Sequence, residues 1–353
     1  MGMKKVDIIG GGIAGLALAA RLDPGTFDVT VYEQRPELPA VGTTLAMWPG
    51  AQRALSEIGI LGAVRSRGSI ITAGALRDPS GAALLAVEGE GLVGIARPEL
   101  LKLLDSAVPA SVERVYQRAE VIAENAWLTV GADGVNSIVR RKFWGRRSAA
   151  RPTPFLAVRG VVPGTPVPGD VGEYWGKGEI FGLAPAVGGT NWYASFRSDL
   201  GPEKVDVPEA LELTRDRYGN YSEAVRDVLR QATPGNSLAQ RIWTAPPLAR
   251  YSRTNVVLVG DAGHAMTPNL GRGACEALVD AVSLGNLLNE LPKEEALAAY
   301  DRKRVLRTQQ LRLASALMGS VALAQGMQPW RDGLLKRVGK RVAKASARSG
   351  TSK

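Results

Sequence analysis

The run Ile8-Ile9-Gly10-Gly11-Gly12-Ile13-Ala14-Gly15 constrains the fold of this chain more than any other segment. It follows a strand-like stretch, Val6-Asp7-Ile8-Ile9, and opens an Ala- and Leu-rich helix over residues 13–22 that Asp23-Pro24-Gly25 ends. A second strand over residues 28–32 then delivers Glu33, with Gln34 and Arg35 beside it. The glycines act differently. Gly10 permits a tight turn, Gly12 lets a diphosphate approach the backbone, and Gly15 lets helix and strand pack closely. The helix N-terminus, with Ile13 and Ala14 in its first turn, offers unpaired N–H groups and the positive end of the dipole. A carboxylate at Glu33, eighteen residues beyond Gly15, can accept from ribose hydroxyls. The pattern predicts a βαβ unit that binds a dinucleotide and by itself leaves FAD and NAD open.

Further along, Pro49 opens a helix over residues 50–58 that Gly59 caps, and residues 69–95 carry short β-like runs. A helix follows over residues 98–107, and residues 151–197 read as strands joined by Pro- and Gly-rich turns. Residues 208–218 and 222–231 read as helices, Val256-Val257-Leu258-Val259 as a buried strand, and residues 275–288 and 293–324 as two more helices. An α/β half is thus interrupted by a β-rich insert, which predicts discontinuous domains.

His264 and Cys275 are the only residues of their kinds. Histidine-based metal sites and Ser-His-Asp chemistry therefore have almost no material, and no metal is expected. An intramolecular disulfide is impossible, which fits a cytoplasmic setting. No apolar run reaches the roughly 18 residues of a membrane-spanning helix, so no integral membrane segment is expected, and the start shows no apolar signal region. The net charge of +10 is unevenly spread: from Arg331 onward stand eight Lys or Arg and one acid. That end reads first as a frayed basic helix and, because residues 311–324 are apolar-rich, alternatively as a membrane-surface contact. No nucleic-acid partner is expected, since the basic residues gather in a tail and not in a recognised binding fold.

Residues 256–281, VVLVGDAGHAMTPNLGRGACEALVDA, sharpen the reading. A buried strand delivers Gly260-Asp261, and a turn through Pro268 leads to Gly271-Arg272-Gly273-Ala274 at a helix start. Asp261 can accept from polyol hydroxyls, and the helix N-terminus can stabilise negative charge on a bound ring. Taken alone, the segment also fits a structural strand–turn–helix with a capping Asp. It resembles the GD motif of FAD-dependent aromatic hydroxylases, the group A flavoprotein monooxygenases with the para-hydroxybenzoate hydroxylase-like fold. Further matches follow in order: Ala96-Arg97-Pro98-Glu99-Leu100 resembles the arginine-led helix beside the FAD, and Val130-Gly131-Ala132-Asp133-Gly134-Val135-Asn136-Ser137 with Arg140 resembles the DG motif. Residues 174–176 through 196–197 are similar to the strands over the flavin ring. The resemblance spans about residues 6–332 and is nearest the branch of salicylate and urate hydroxylases and zeaxanthin epoxidases.

The resemblance implies an α/β fold: a Rossmann-like FAD-binding domain (residues 1–70, 96–150 and 251–292) interrupted by a β-sheet-rich substrate domain (71–95 and 151–250). C-terminal helices (293–335) and the basic tail (336–353) would follow. It implies that Gly10, Gly12, Ile13, Ala14 and Gly15 cradle the diphosphate and that Glu33, with Gln34 and Arg35, meets the adenosine ribose. Arg97, Asp133 and Gly134 would border the FAD, Gly260 and Asp261 would hold the ribityl chain, and Pro268 would sit beside the reactive ring edge. Amides around Gly271, Arg272, Gly273 and Ala274 would stabilise the reduced, anionic flavin. The implied reaction uses NAD(P)H and O2, and a flavin C4a-hydroperoxide hydroxylates or epoxidises a small aromatic or conjugated substrate. The alternative is a flavin-binding protein that sequesters an unstable intermediate. It rests on a shortened meander: residues 119–123 pass almost directly to 128–130, so a β-hairpin of the family pattern is missing. Two further departures are Arg272 in place of a common Gln and Val279 in place of a common Glu. Among the sheet aromatics Tyr174, Trp175, Phe181, Trp192, Tyr193 and Phe196, those expected to line the substrate pocket are Trp175, Phe181, Trp192 and Phe196. Arg159 and Arg197 are the expected anion or phenolate ligands, with surface ion pairs as the other reading. His264 is expected to be structural and not the essential base, Cys275 to be packed, and a homodimer is left open.

Overall fold

The computed structural model describes residues 2–35, 37, 43–117, 126–166, 168–202, 204–326 and 328–350. In chain order, β1 (Lys4–Ile9), α1 (Ile13–Ala19) and β2 (Phe27–Tyr32) form a βαβ unit. Then come β3 (Thr44–Met47), α2 (Pro49–Ile58), α3 (Leu61–Ser66), β4 (Ser69–Arg77), β5 (Ala83–Ala96) and α4 (Arg97–Ala107). β6 (Glu113–Val115), β7 (Leu128–Gly131) and α5 (Ile138–Trp144) precede the insert. The insert holds β8 (Arg151–Val162), β9 (Gly172–Trp175), β10 (Glu179–Ala186), β11 (Gly189–Arg197), α6 (Val207–Tyr218), α7 (Glu223–Gln231) and β12 (Ser237–Thr244). The chain returns through β13 (Ser252–Arg253), β14 (Val256–Leu258), α8 (Asp261–His264) and α9 (Gly273–Glu290), and ends on α10 (Lys293–Ala322) and α11 (Gln328–Gly350).

Two sheets result. The first runs β13-β14-β7-β1-β2-β6 and is parallel apart from β13. Its strands are buried on both faces, as parallel strands must be, with Val6, Ile8, Val130 and Val257 packed against α1 and α9. The second runs β12-β8-β11-β10-β9-β4-β5-β3 and is antiparallel except where β4 meets β9. Along β8, β10 and β11 the side chains alternate in the period of two that pleating imposes. Leu156, Val158, Phe181, Leu183, Trp192 and Phe196 join a core with α6 and α7, whose Leu211, Tyr218, Val225 and Leu229 complete it. The intervening residues, among them Phe155, Arg159, Tyr193 and Ser195, occupy the other face.

Two boundaries differ from the sequence reading. Residues 44–47, expected in the first domain, pair as β3 with β5 from Thr44↔Ala96 to Met47↔Val93 and edge the second sheet. β5 is fourteen residues long and so reaches past β4, and the Thr44 N–H donates to Asn191 Oδ1 at 2.9 Å. Residues 336–350, expected to fray, continue α11. That helix lies against β5, where a Cβ on Gly339 would come within 2.9 Å of the Leu84 carbonyl oxygen. The 119–123 run and the last three residues of the tail lie outside the described residues.

A buried ionic network joins the last third of the chain. Asp280 on α9 accepts the Gly260 N–H at 2.9 Å, meets His264 Nε2 at 2.6 Å and accepts Arg304 Nε of α10 at 2.6 Å. Arg304 also reaches Glu276, which in turn pairs with Arg272. Burial alone would raise the Asp280 pKa, but the charges of His264 and Arg304 overcome it and hold the carboxyl down at about 2. Burial likewise pulls the His264 imidazole down, and Asp280 more than reverses this, so its pKa is raised. Since the folded pKa of Asp280 lies below its ordinary 3.8, its stabilising effect is present above that value and lost as pH falls through about 2. Asp280→Asn should therefore destabilise the protein by about 3–5 kcal/mol at neutral pH. It should also flatten the acid limb of stability between pH 3.8 and about 2. Denaturant unfolding of both proteins across that range checks this; equal midpoints at pH 7 would refute it.

Candidate functional site

The carboxyl ends of β1, β2, β7 and β14 open on one cavity of about 540 Å³, the position where open parallel sheets bind ligands. It brings together Gly10, Gly12, Ile13 and Ala14 from the β1–α1 turn with Glu33 and Gln34 from the end of β2. Arg97 at the start of α4, Asp133 and Gly134 after β7, Asp261 at the start of α8, and Gly273 and Ala274 at the start of α9 are the other predicted residues that border it. Segments more than a hundred residues apart in sequence thus meet, most of them because they follow strands of the first sheet, with Arg97 arriving from the end of β5 in the second.

The local geometry fits an extended dinucleotide. Gly10 has φ +110° and lies so close to β7 that a Cβ would sit 2.5 Å from the Ala132 carbonyl oxygen, so only glycine turns here. Gly12, by contrast, has ordinary φ −83°, and a Cβ there would meet nothing within 4 Å, which leaves its backbone open to a ligand. No side chain caps α1, so its first amides are available to an anion. Glu33 is fixed by the N–H groups of Gly11 and Arg35, each at 2.9 Å. Asp133 uses Oδ2 to accept from the Ile138 and Val139 amides of α5, while its buried Oδ1 has no partner among the described residues. Burial raises its pKa, and a ligand hydroxyl would satisfy the free oxygen.

The other predicted residues do not border the cavity. Gly15 lets α1 pack on β1, where a Cβ would strike the Gly10 carbonyl oxygen at 1.9 Å. Gly260, at φ +61°, sits beneath the floor, tied to Asp280 and pressed on Ala277. Arg35 is exposed beside Glu33. Gly271, at φ +60°, forms the turn into α9, and Arg272 turns aside to lie over the Trp48 ring at 5.1 Å and pair with Glu276 at 2.7 Å. Three further polar residues line the cavity: Asn136, which lies inside the 130–137 motif without being singled out there, and Gln117 and Arg141, which escape the motifs. Helical period explains Arg141, which shares a face with the cavity residue Ile138 three positions earlier. Its neighbour Arg140 points inward and donates to the carbonyls of Ser148, Ala262, Gly263 and Pro246. Arg140 thus clamps α5 to α8, and burial pulls its pKa down to about 10.

Pro268 begins a short 3-10 turn, and its neighbours Thr267 and Asn269 line a second cavity of about 360 Å³. Phe155 on β8, Thr244 on β12, and Arg312, Ala316 and Ser320 on α10 enclose it. The expected substrate aromatics divide by strand parity. Phe181, Trp192 and Phe196 are fully buried in the core with α6 and α7, where Phe181 stacks on Trp192 at 5.7 Å, so they face away from both cavities. Trp175 is on the opposite face but packs against Ala322 and Leu323. Arg197 is exposed and lies over Phe155 at 5.6 Å.

That opposite face carries a polar row that the sequence did not reveal. Arg159 faces Tyr193 across β8 and β11, Tyr193 faces Gly182 on β10, and Gly182 faces Glu173 on β9. Gly182 leaves the row open: a Cβ there would sit 2.1 Å from the Tyr193 ring, which lies across it and donates its hydroxyl hydrogen to Glu173 Oε1. Trp175 Nε1 donates to Glu173 Oε2 at 2.8 Å. Burial raises the Glu173 pKa against the pull of these two bonds, and burial and Glu173 together raise that of Tyr193 well above 10. Arg159 Nε is buried without a partner among the described residues; burial first and the charge of Arg97 second pull its pKa down to about 10. Tyr193 and Gly182 would have been found by asking which mid-strand glycine faces an aromatic. His264 is fully buried against Asp280, and Cys275 donates to the Ala46 carbonyl at 3.2 Å with its thiol pushed up to about 11. Among the described residues no His, Cys, Asp or Glu group has a metal-holding arrangement.

Comparison with known proteins finds matches along most of the chain. Residues 105–315 match the FAD binding domain family and residues 8–46 the NAD(P)-binding Rossmann-like domain family. The chain is 30% identical over 348 residues to aurachin C monooxygenase/isomerase of Stigmatella aurantiaca, covering 90% of this chain and 89% of that one. It is 30% identical over 338 residues to 3-amino-4-hydroxybenzoate 2-monooxygenase of Streptomyces cremeus, covering 86% and 84%. The structure of Klebsiella pneumoniae HpxO complexed with FAD and uric acid shares the fold with a TM-score of 0.85 at 24% identity, covering 97% of this chain and 95% of that chain. FAD is the cofactor these matches give. Gly12→Val should then leave the melting temperature of the apoprotein unchanged while weakening FAD binding at least about tenfold, or 1.4 kcal/mol. Gly10→Val should impair folding and binding together. Calorimetry and fluorescence titration of apoprotein with FAD separate the two; undiminished affinity in Gly12→Val would place the diphosphate elsewhere.

Proposed function

The chain belongs to the FAD-dependent aromatic hydroxylases, the group A flavoprotein monooxygenases, and on that premise we propose that it uses NAD(P)H and O2 to hydroxylate a small aromatic ring bearing an acidic hydroxyl or similar group. The polar row Arg159–Tyr193–Glu173 is the observation that carries the choice of substrate. When bound, FAD accepts electrons from the nicotinamide, activates O2 and supplies the oxygen atom. Gly10, Gly12 and the first amides of α1 would hold its diphosphate, Glu33 the adenosine ribose, and Asp133 and Asp261 further hydroxyls. The open start of α9 at Gly273 and Ala274 would take up negative charge on the ring.

The row's own chemistry is proton handling. The Tyr193 hydroxyl hydrogen is committed to Glu173, so its oxygen is free to accept from a substrate hydroxyl. As the substrate proton moves to Tyr193 Oη, the Tyr193 proton moves to Glu173 Oε1. Burial makes that carboxylate a stronger base than usual. Arg159, lacking a partner at Nε, balances the phenolate that remains. A phenolate ring is richer in electrons and so a better acceptor of an electrophilic oxygen. The apolar second cavity beside Pro268, with Phe155 and Leu323 in its wall, would limit water at the reacting centre.

Holoenzyme mixed with NADPH or NADH, isotopically labelled O2 and panels of hydroxybenzoates, quinolones and purines tests the reading. Labelled hydroxylated product with substrate-stimulated nicotinamide oxidation is expected, whereas tight ligand binding without product would favour a sequestering protein. Glu173→Gln and Tyr193→Phe should lower kcat by about 10²-fold or more, as loss of a general base does. Glu173→Gln should also remove an acidic limb from the kcat profile, because Glu173 must be ionised to accept the proton. Unchanged profiles in both variants would exclude the relay.

A further inference from the structure

We propose that the exposed side of α10 and α11 is a docking face for an anionic lipid surface, placing the mouth of the second cavity against the membrane. Two independent observations meet there. The first is charge: residues 293–353 hold fourteen Lys or Arg against four Asp or Glu, so the entire +10 lies in this stretch and residues 1–292 are neutral. Asp301 and Asp332 are engaged, the former with the Tyr251 N–H and the Ser252 hydroxyl, the latter with Arg331. Arg302, Lys303, Arg307, Lys336 and Arg337 stay exposed.

The second is an apolar stripe on the same helices. Leu306, Leu313, Leu317 and Val321 follow one another at helical spacing along α10, and the three leucines keep 60% to 68% of their surface exposed. Trp330, 68% exposed, and Leu334 follow four residues apart on α11. Arg331 joins the helix ends by donating to the Ala322 carbonyl at 3.0 Å, which brings Val321 and Trp330 to one junction. Single exposed leucines are ordinary, but an ordered stripe with Trp at one end and Lys and Arg around it is the pattern of an interfacial helix. Among the described residues no helix is long and apolar enough to cross a membrane, so the contact is with its surface.

The stripe borders the cavity. Ala316 and Ser320 line the second cavity and are exposed, and they lie on the side of α10 next to Leu313 and Leu317. A docked bilayer would cover this rim, and Trp and Leu would enter the acyl boundary while the basic residues stay among the headgroups. That the cavity draws a lipid-dissolved aromatic from the bilayer rests on the hydroxylase reading; the docking itself does not.

Flotation of the FAD-loaded full chain with phosphatidylcholine vesicles, with and without phosphatidylglycerol, tests the face directly. Binding at least about tenfold tighter to the anionic vesicles and weakened by salt is expected. The double variant Leu313→Glu/Leu317→Glu should lose that binding while keeping its flavin spectrum and its basal nicotinamide oxidation. Failure of the wild type to float with either vesicle, or undiminished flotation of the variant, would overturn the proposal. So would a concentration-dependent dimer in sedimentation that the variant dissolves, since a second copy would then cover the face. Hydroxylation of soluble phenols, measured in parallel, reports on the catalytic reading separately.

Discussion

The Asp280 carboxylate is the constraint on which the site depends. It accepts the Gly260 N–H on the near side of Asp261, while Arg140 holds the Ala262 carbonyl on the far side. Asp261 is thereby fixed at the cavity by backbone bonds before and after it, without its own side chain being used. Preorganisation of this kind costs nothing at the moment of binding, and it needs a network that is satisfied throughout. The network is nearly complete: His264, Arg304, Glu276 and Arg272 each find a charged partner, and only His264 Nδ1 and Arg272 Nε are left without one among the described residues. His264 is buried within this network against Asp280.

The glycine and acid positions at the first cavity were legible because each answers to a local rule. Gly10 marks a positive φ, Gly12 an open approach and Asp133 a helix start, and all three belong to short segments whose conformation the sequence nearly dictates. The polar row was not, because direction on a strand depends on register and on what covers each face. Trp192 and Tyr193 are adjacent in sequence and equally aromatic, yet α6 and α7 take the first and leave the second to the row. The contact between Tyr193 and Glu173 crosses an intervening strand and exists only because Gly182 has no side chain, a coincidence of three strands that no single window displays. Arg140 and Arg141 differ for the same reason on a helix: one position of rotation separates a buried clamp from a cavity residue.

The cavity and the row therefore differ in what they are made of. The first cavity is lined largely by turns and helix starts, which tolerate little change. The polar row is made of side chains on a sheet face, which under the proposed function could be exchanged without moving the cofactor. Relatives that share the frame and differ in the aromatic compound they act on are the expected outcome of such a division.

Arg159 shows the same division in energetic form. Its buried Nε has no partner among the described residues, and the positive charge of Arg97 adds to the cost of burial, which together draw its pKa to about 10. Folding alone leaves that cost uncompensated, since the nearest acid of the row, Glu173, is already shared by Tyr193 and Trp175. An anionic group between Arg159 and Arg97 would remove both penalties at once, so binding free energy and folding free energy are coupled at this point. A neutral isostere would gain neither. Under the proposed function, selectivity for a charged or ionisable ring would arise from an arrangement that is unfavourable when empty, and the sheet would have to be rigid enough to hold the two guanidinium groups in place until the ligand arrives.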